Sequence, residues 1–234
     1  MVRDLIRSAK EKLAQAGYSE VDAEILFAHL LGINRMELHN PVALENAMEN
    51  VGDIAEDYHQ LLNRRLSHEP LQYITGEAHF RDLTLEVGPG VLVPRPESEL
   101  MVSFILAQIE QKDGLISVID LGAGSGALSI ALSTECDRVR AIAVENSPEA
   151  LIWLRKNVAR YVEEMRVVEG DVATALPGVK ADFVIANPPY VRHHSLDINE
   201  STYVALEDIA GEKLSKLTNC IKCSIFSPSQ SSLT

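Results

Sequence analysis

Ser117-Val118-Ile119-Asp120-Leu121-Gly122-Ala123-Gly124-Ser125-Gly126-Ala127-Leu128 is the stretch from which the fold of this chain is read. Residues 117–120 have the pattern of a buried strand. Gly122, Gly124 and Gly126 follow, and glycine lets the backbone turn sharply and approach a ligand closely. Residues 126–132 then carry helical spacing, so the loop opens onto a helix N-terminus with free N–H groups. Strand, glycine loop and helix in that order make a nucleotide-binding unit.

The alternation continues downstream. Residues 140–144 read as a second strand, 148–158 as a second helix, 165–168 as a third strand and 182–186 as a fourth. This pattern predicts an α/β fold, Rossmann-like, with a mainly parallel sheet covered by helices on both faces. Ligands bind such sheets at the carboxyl ends of the strands. Asp120, Gly122, Ala123, Gly124, Ser125 and Gly126 stand at the first end. Glu145 closes the second strand, where a carboxylate can accept hydrogen bonds from both ribose hydroxyls. Asp171 follows the third strand and can accept from an adenine amine, with Val172 packing on the ring. Glu145 and Asp171 could each be a solvated turn residue; their recurrence at successive strand ends favours the ligand role.

The fourth strand ends in Asn187-Pro188-Pro189-Tyr190. Pro188 restricts Asn187 to extended geometry. Neither proline has an N–H, so regular pairing stops and carbonyls are left free. The side-chain oxygen of Asn187 adds another acceptor, and Tyr190 a flat wall for stacking. A fixed pair of acceptors suits the two hydrogens of a planar –NH2 group. A plain proline turn would explain Asn-Pro alone; the whole tetrapeptide behind a glycine loop favours the functional reading. The loop itself also fits the dinucleotide pattern through Gly122, Gly124 and Ala127. Two features tilt the choice to S-adenosylmethionine. Asp120 precedes the first glycine, where it could orient the methionine amine, and the tetrapeptide has no evident role in hydride transfer.

Upstream, residues 1–75 read as helical. Leu5, Ile6, Ala9 and Leu13 share one face before a stop at Gly17; Ala23, Leu26, Phe27 and Leu30 make a second stripe ending at Gly32. Ser19 with Asp22 resembles a capping box. A third helix over 53–66 would bury Tyr58, Leu61, Leu62 and Leu66. Partner recognition and a purely structural cap explain this small bundle equally well. Residues 76–96 read as a hairpin linker, with strands over 78–80, 83–87 and 91–93. A helix from Glu97 or Ser98 carries Leu100, Met101, Phe104, Ile105 and Ile109. Arg95 is either a salt-bridge residue or a border of the cleft. His68 reads as a surface loop residue, as do His193 and His194.

The 234 residues carry 21 basic and 34 acidic side chains, net −13. That balance argues against a broad nucleic-acid surface, which depends on neutralising phosphates, and suits a basic partner. Three cysteines, Cys136, Cys220 and Cys223, point to a reducing compartment; a single C-x-x-C pair is weak support for zinc, and no metal is expected. No apolar run reaches membrane-spanning length and no signal peptide opens the chain, so a cytoplasmic location without membrane binding is expected.

On these residues the chain resembles a known family. Residues 120–126 resemble the cofactor loop of class I S-adenosylmethionine-dependent methyltransferases. Asn187-Pro188-Pro189-Tyr190 resembles the signature of enzymes that methylate planar –NH2 nitrogens, on DNA adenine and on glutamine. Val91-Leu92-Val93-Pro94-Arg95-Pro96-Glu97 and the helical N-terminal region look like the release-factor glutamine methyltransferases, the HemK/PrmC family. The resemblance implies S-adenosylmethionine as cofactor, peptide chain release factors as partners and their Gly-Gly-Gln glutamine as methyl acceptor. It implies that Asn187 and the Pro188 carbonyl hold the amide, with Pro189 and Tyr190 shaping the pocket, and that Asn187 also touches the cofactor. It assigns residues 97–211 to the catalytic domain. An adenine methyltransferase is the alternative enzyme and an inactive chain the alternative from another class. After Gly211 the likeness ends, with Ser201-Thr202 in place of the family's Glu-Pro. Residues 212–234 read as a divergent, disordered tail; the last strands are expected to be missing, leaving the edge beside the fourth strand exposed.

Overall fold

The computed structural model describes residues 2–49, 54–187 and 224–226, and the chain divides into two compact units, 1–77 and 78–234. The first contains α1 (Val2–Gln15), α2 (Val21–Leu31), α3 (Pro41–Met48), α4 (Ile54–Leu66) and α5 (Leu71–Thr75). The stripes read from sequence build its core: Ala9 and Leu13 from α1, Ala23, Leu26 and Phe27 from α2, and Tyr58 and Leu62 from α4. Phe27 and Tyr58 meet edge to face at 5.0 Å, and the Tyr58 hydroxyl donates to the Ala23 carbonyl at 2.9 Å. His68 is exposed, as expected, with the Tyr18 hydroxyl on its Nδ1.

Two details depart from expectation. The Ser19–Asp22 capping box does not form, because buried Asp22 accepts from Arg65 Nε at 2.8 Å, a charge-assisted bond stronger than a cap. A 3-10 turn (Arg35–His39), α3 and the short α5 add to the three predicted helices. Asn34 and Glu37 make the capping box that starts the turn, and Asn40 caps α3 ahead of Pro41.

A hairpin, β1 (Glu77–Phe80) and β2 (Leu83–Glu86), begins on the last residue of the first unit and otherwise belongs to the second. Residues 91–93 form no third strand; Val91 instead buries its side chain with Ala78, Val87 and Ala150. There follow α6 (Glu99–Ile109), β3 (Ile116–Leu121), α7 (Ala127–Glu135), β4 (Val139–Glu145), α8 (Pro148–Tyr161), β5 (Arg166–Glu169) and β6 (Phe183–Ala186). Leu100 and Phe104 of α6 are 62% and 53% exposed, while Met101, Val102, Ile105 and Ile109 face the core. A last strand, β7 (Ser224–Phe226), pairs antiparallel with β6. It stands where a disordered tail and an exposed edge were expected, and the unpaired N–H and C=O groups of β6 are what such a strand satisfies. The rest of 212–234 lies outside the described residues.

The sheet order is β5-β4-β3-β6-β7, the first four parallel. Alternation along the strands feeds two faces. Ile116 and Val118 join the core with α6, α7 and α8, while Ile119, Leu121, Val144 and Ala186 cluster opposite with Val172, Ala175 and Leu176. The β6 strand starts at Phe183, a residue later than read, because Asp182 turns its carboxylate onto the Ser117 N–H at 2.9 Å and hydroxyl at 2.8 Å.

Two side chains of α8 complete the free edge of β2. The Tyr161 hydroxyl accepts from Thr84 N–H at 3.0 Å and donates to its carbonyl at 2.8 Å. Asn157, fully buried, accepts from Glu86 N–H at 2.7 Å and donates to the Glu86 carbonyl at 2.9 Å and to the Ser125 carbonyl at 3.0 Å. Four residues of helix rise about 6 Å and two of strand about 6.6 Å, so the helix matches the strand's spacing. Asn157 thereby ties the hairpin to the glycine loop. Asn157→Leu keeps the branched heavy-atom outline, with bulkier methyl ends, and orphans these backbone groups, at a cost of about 3 kcal/mol. Urea unfolding followed by the fluorescence of Trp153, the chain's one tryptophan, measures it; a loss below about 1 kcal/mol would contradict this account.

Candidate active site

The parallel register sets the site. Leu121 stands opposite both Val144 and Ala186, and Glu145 opposite Glu169. The four strands therefore end together, and the sequence-predicted residues Gly122, Glu145, Asp171 and Asn187 all fall at that carboxyl edge.

The loop is held by its own backbone. Gly122, Gly124 and Gly126 have φ of 69°, 58° and 83°, which favour glycine. The N–H groups of Gly122 and Ala123 donate to the Val144 carbonyl at 2.9 and 3.0 Å, folding the loop over the end of β4. A Cβ at Gly126 would lie 2.7 Å from Leu154 and 2.8 Å from Ile130, so close packing requires glycine there. At Gly122 a Cβ would meet nothing within 4 Å, so this side of the loop is open. Ser125 is buried, and Val91 of the preceding segment stands 3.7 Å from the Cβ position of Gly124.

Glu145 is 6% exposed and braces the loop. Its Oε2 accepts from Gly124 N–H at 2.8 Å, and its Oε1 from the N–H groups of Asn146 and Ser147, both at 2.9 Å. Of about four lone-pair sites on a carboxylate, three are thus filled, leaving one acceptor on Oε2 for a hydroxyl beside these bonds. Asp120 is 1% exposed and accepts from the Ser129 N–H at 3.2 Å. It supplies the acceptor that Gly126, lacking a side chain, cannot give to the N-terminus of α7. Burial pushes its carboxyl up to about 6; the bonds from Ser129 pull it down and the charge of Glu145 adds to the rise.

Asp171 is exposed and accepts from Ala173 N–H at 2.8 Å, an Asx-type turn that fixes its side chain beyond β5. Val172 is half-buried against the sheet face beneath it. Asn187 is half-buried at the end of β6, and its Nδ2 donates to the hydroxyl of Ser98 at 3.0 Å. Sequence reasoning missed Ser98: placed before α6, it has the look of an ordinary helix cap. Pro188, Pro189 and Tyr190 lie outside the described residues, as do His193, His194, Cys220 and Cys223. Arg95 is exposed. Among the described residues no His, Cys, Asp or Glu cluster could hold a metal, and no helix is long and apolar enough to cross a membrane.

Two family models match the chain: "PrmC N-terminal domain" over residues 4–76 and "Methyltransferase small domain" over 97–216. The release factor glutamine methyltransferase of Streptomyces coelicolor is 40% identical over 208 residues, covering 86% of this chain and 68% of its own. That of Mycolicibacterium smegmatis is 38% identical over 199 residues, covering 81% and 66%. That of Burkholderia pseudomallei is 36% identical over 203 residues, covering 82% and 68%. The chain thus spans about two thirds of the length of these relatives.

The raised Asp120 value has a sign. The protonated form favours the fold, so this contribution is whole below pH 3.8 and is lost as pH rises through about 6. Asp120→Asn keeps an acceptor for Ser129 and never ionises. Relative to the parent it should gain about 2 kcal/mol between about pH 4.5 and about pH 7.5, read from urea midpoints. A difference that does not change with pH would contradict the assignment.

Proposed function

The chain belongs to the release factor glutamine methyltransferase family, and from that premise we propose that it transfers one methyl group from S-adenosylmethionine to a release-factor glutamine. The acceptor in this reading is the side-chain amide nitrogen of the glutamine in the Gly-Gly-Gln motif. The observation that carries it is the placement of Asn187 beside the glycine loop, at the ends of neighbouring strands β6 and β3.

The residues present fit the cofactor. Gly122 leaves space, Glu145 keeps an acceptor on Oε2 for a ribose hydroxyl, and Asp171 offers a carboxylate for the adenine amine beside Val172. Asp120, Ala123, Ser125 and Gly126 shape and anchor the loop that would hold the methionine end. S-adenosylmethionine, when bound, supplies an electrophilic sulfonium methyl. The protein's task is then mostly positioning, because an amide nitrogen is a poor nucleophile whose lone pair is delocalised. Asn187 Oδ1 and the Pro188 carbonyl would accept the two hydrogens of the glutamine –NH2. Those bonds favour pyramidal nitrogen and stabilise the charge that develops as the nitrogen attacks. Pro189 would stiffen the turn and Tyr190 wall the pocket. The proton leaves to solvent after transfer. A net charge of −13 disfavours the adenine alternative, since a duplex would have to be held through its phosphates.

Intact-mass analysis of a release factor incubated with this chain and S-adenosylmethionine tests the proposal. One added methyl, mapped to the Gly-Gly-Gln glutamine, is expected; an unmodified release factor would overturn it. Asn187→Ala should slow transfer by about 100-fold or more while cofactor affinity, measured by titration, stays within about threefold. Parallel loss of both would show that Asn187 serves the cofactor rather than the substrate.

A further inference from the structure

Ser98 has a hydroxyl that its local structure does not use. It stands just before α6, where a serine side chain usually accepts from the N–H groups of the first turn. Its backbone is already helical, φ −71° and ψ −18°, and it makes no such bond. The residue is nonetheless 5% exposed. Its oxygen accepts from Nδ2 of Asn187 at 3.0 Å, across 89 residues of chain. The surroundings hold that oxygen in place. Pro96 opens a 3-10 turn (Pro96–Ser98), and the Ser98 N–H donates to the Arg95 carbonyl at 3.0 Å. Glu99 then accepts from the Arg81 N–H of the hairpin at 3.0 Å.

We propose that Ser98 is a positioning residue for methyl transfer: by accepting from the amide of Asn187 it fixes which way that amide faces, presenting Oδ1 to the substrate. The proposal rests on the reading of Asn187 as the acceptor for the glutamine –NH2. The terminal torsion of asparagine is broad and roughly two-fold, and its oxygen and nitrogen have nearly the same shape. Without this bond the Asn187 amide could turn its own –NH2 toward the substrate in part of the population, setting donor against donor. The bond to Ser98 occupies the nitrogen side, so the oxygen faces the other way. It also ties the turn at 94–98 to the site through one hydroxyl.

The test compares Ser98→Ala and Ser98→Thr with the parent, each as the full chain. Three quantities are measured: kcat for release-factor methylation, affinity for S-adenosylmethionine by titration, and hydrogen exchange of the Asn187 side-chain amide. That resonance is assigned by its absence in Asn187→Ala. Ser98→Ala should lower kcat by about tenfold with cofactor affinity within about twofold, and its Asn187 amide should exchange about tenfold faster. Ser98→Thr, which keeps the hydroxyl, should recover most of both. Unchanged kcat and exchange in Ser98→Ala would overturn the proposal. So would a Ser98→Thr variant as impaired as Ser98→Ala with cofactor affinity lost alongside, since that is the signature of packing. A parent chain that transfers no methyl would defeat the proposed function, while the exchange comparison would still decide whether Ser98 fixes the amide.

Discussion

The backbone pairing of β3 with β4 on one side and β6 on the other is the constraint on which the rest depends. Because these pairs are parallel and in register, Leu121 faces Val144 and Ala186, and three connections leave the sheet at one level. No side chain of the site has to travel far. The glycine loop, Glu145 and Asn187 converge because they are simply the next residues of adjacent strands. A one-residue slip of β6 would turn Ile185 out of the core and carry Asn187 with it, so the apolar alternation that stabilises the sheet also fixes the site.

Around that edge, buried polar groups lock the loop. Asn157 reaches it from α8, Asp120 holds the start of α7, and Glu145 accepts three backbone N–H groups. Each bond contributes modestly, about 1 kcal/mol, yet leaving any partner unmet inside the protein costs more. The loop is therefore shaped before a ligand arrives, which lowers the ordering cost of binding. Asp120 is the element under tension: its carboxylate is useful to α7 and costly to bury, and pH reads out the balance.

Much of this was legible in the sequence because the signals are local. A strand, alternate glycines and a helix are written in consecutive residues, and the four parallel strands were placed within a residue or so at their starts. The stripes of α1, α2 and α4 were equally readable. What escaped depends on distant partners. Asp22 looked like a cap until Arg65, far along the chain, claimed it. Ser98 was read only as a possible helix start and bonds Asn187, and Asn157 sits in an amphipathic helix where an amide usually meets water. The sequence of α6 is apolar nearly all round, and which face packs is chosen by its neighbours, so Leu100 and Phe104 stay exposed. The 3-10 turn and α3 each begin from one asparagine cap, Asn34 and Asn40, with too short an apolar pattern behind them to be read. The strand β7 has only three residues, and what places it is the edge of β6.

The most direct measurement is a crystal structure of this chain with S-adenosylhomocysteine and a peptide containing Gly-Gly-Gln. The account predicts a ribose hydroxyl on Glu145 Oε2 and the glutamine –NH2 on Asn187 Oδ1, with Ser98 still bonded to Nδ2. A cofactor seated away from the ends of β3 and β4, or a glutamine held by groups other than Asn187, would contradict it.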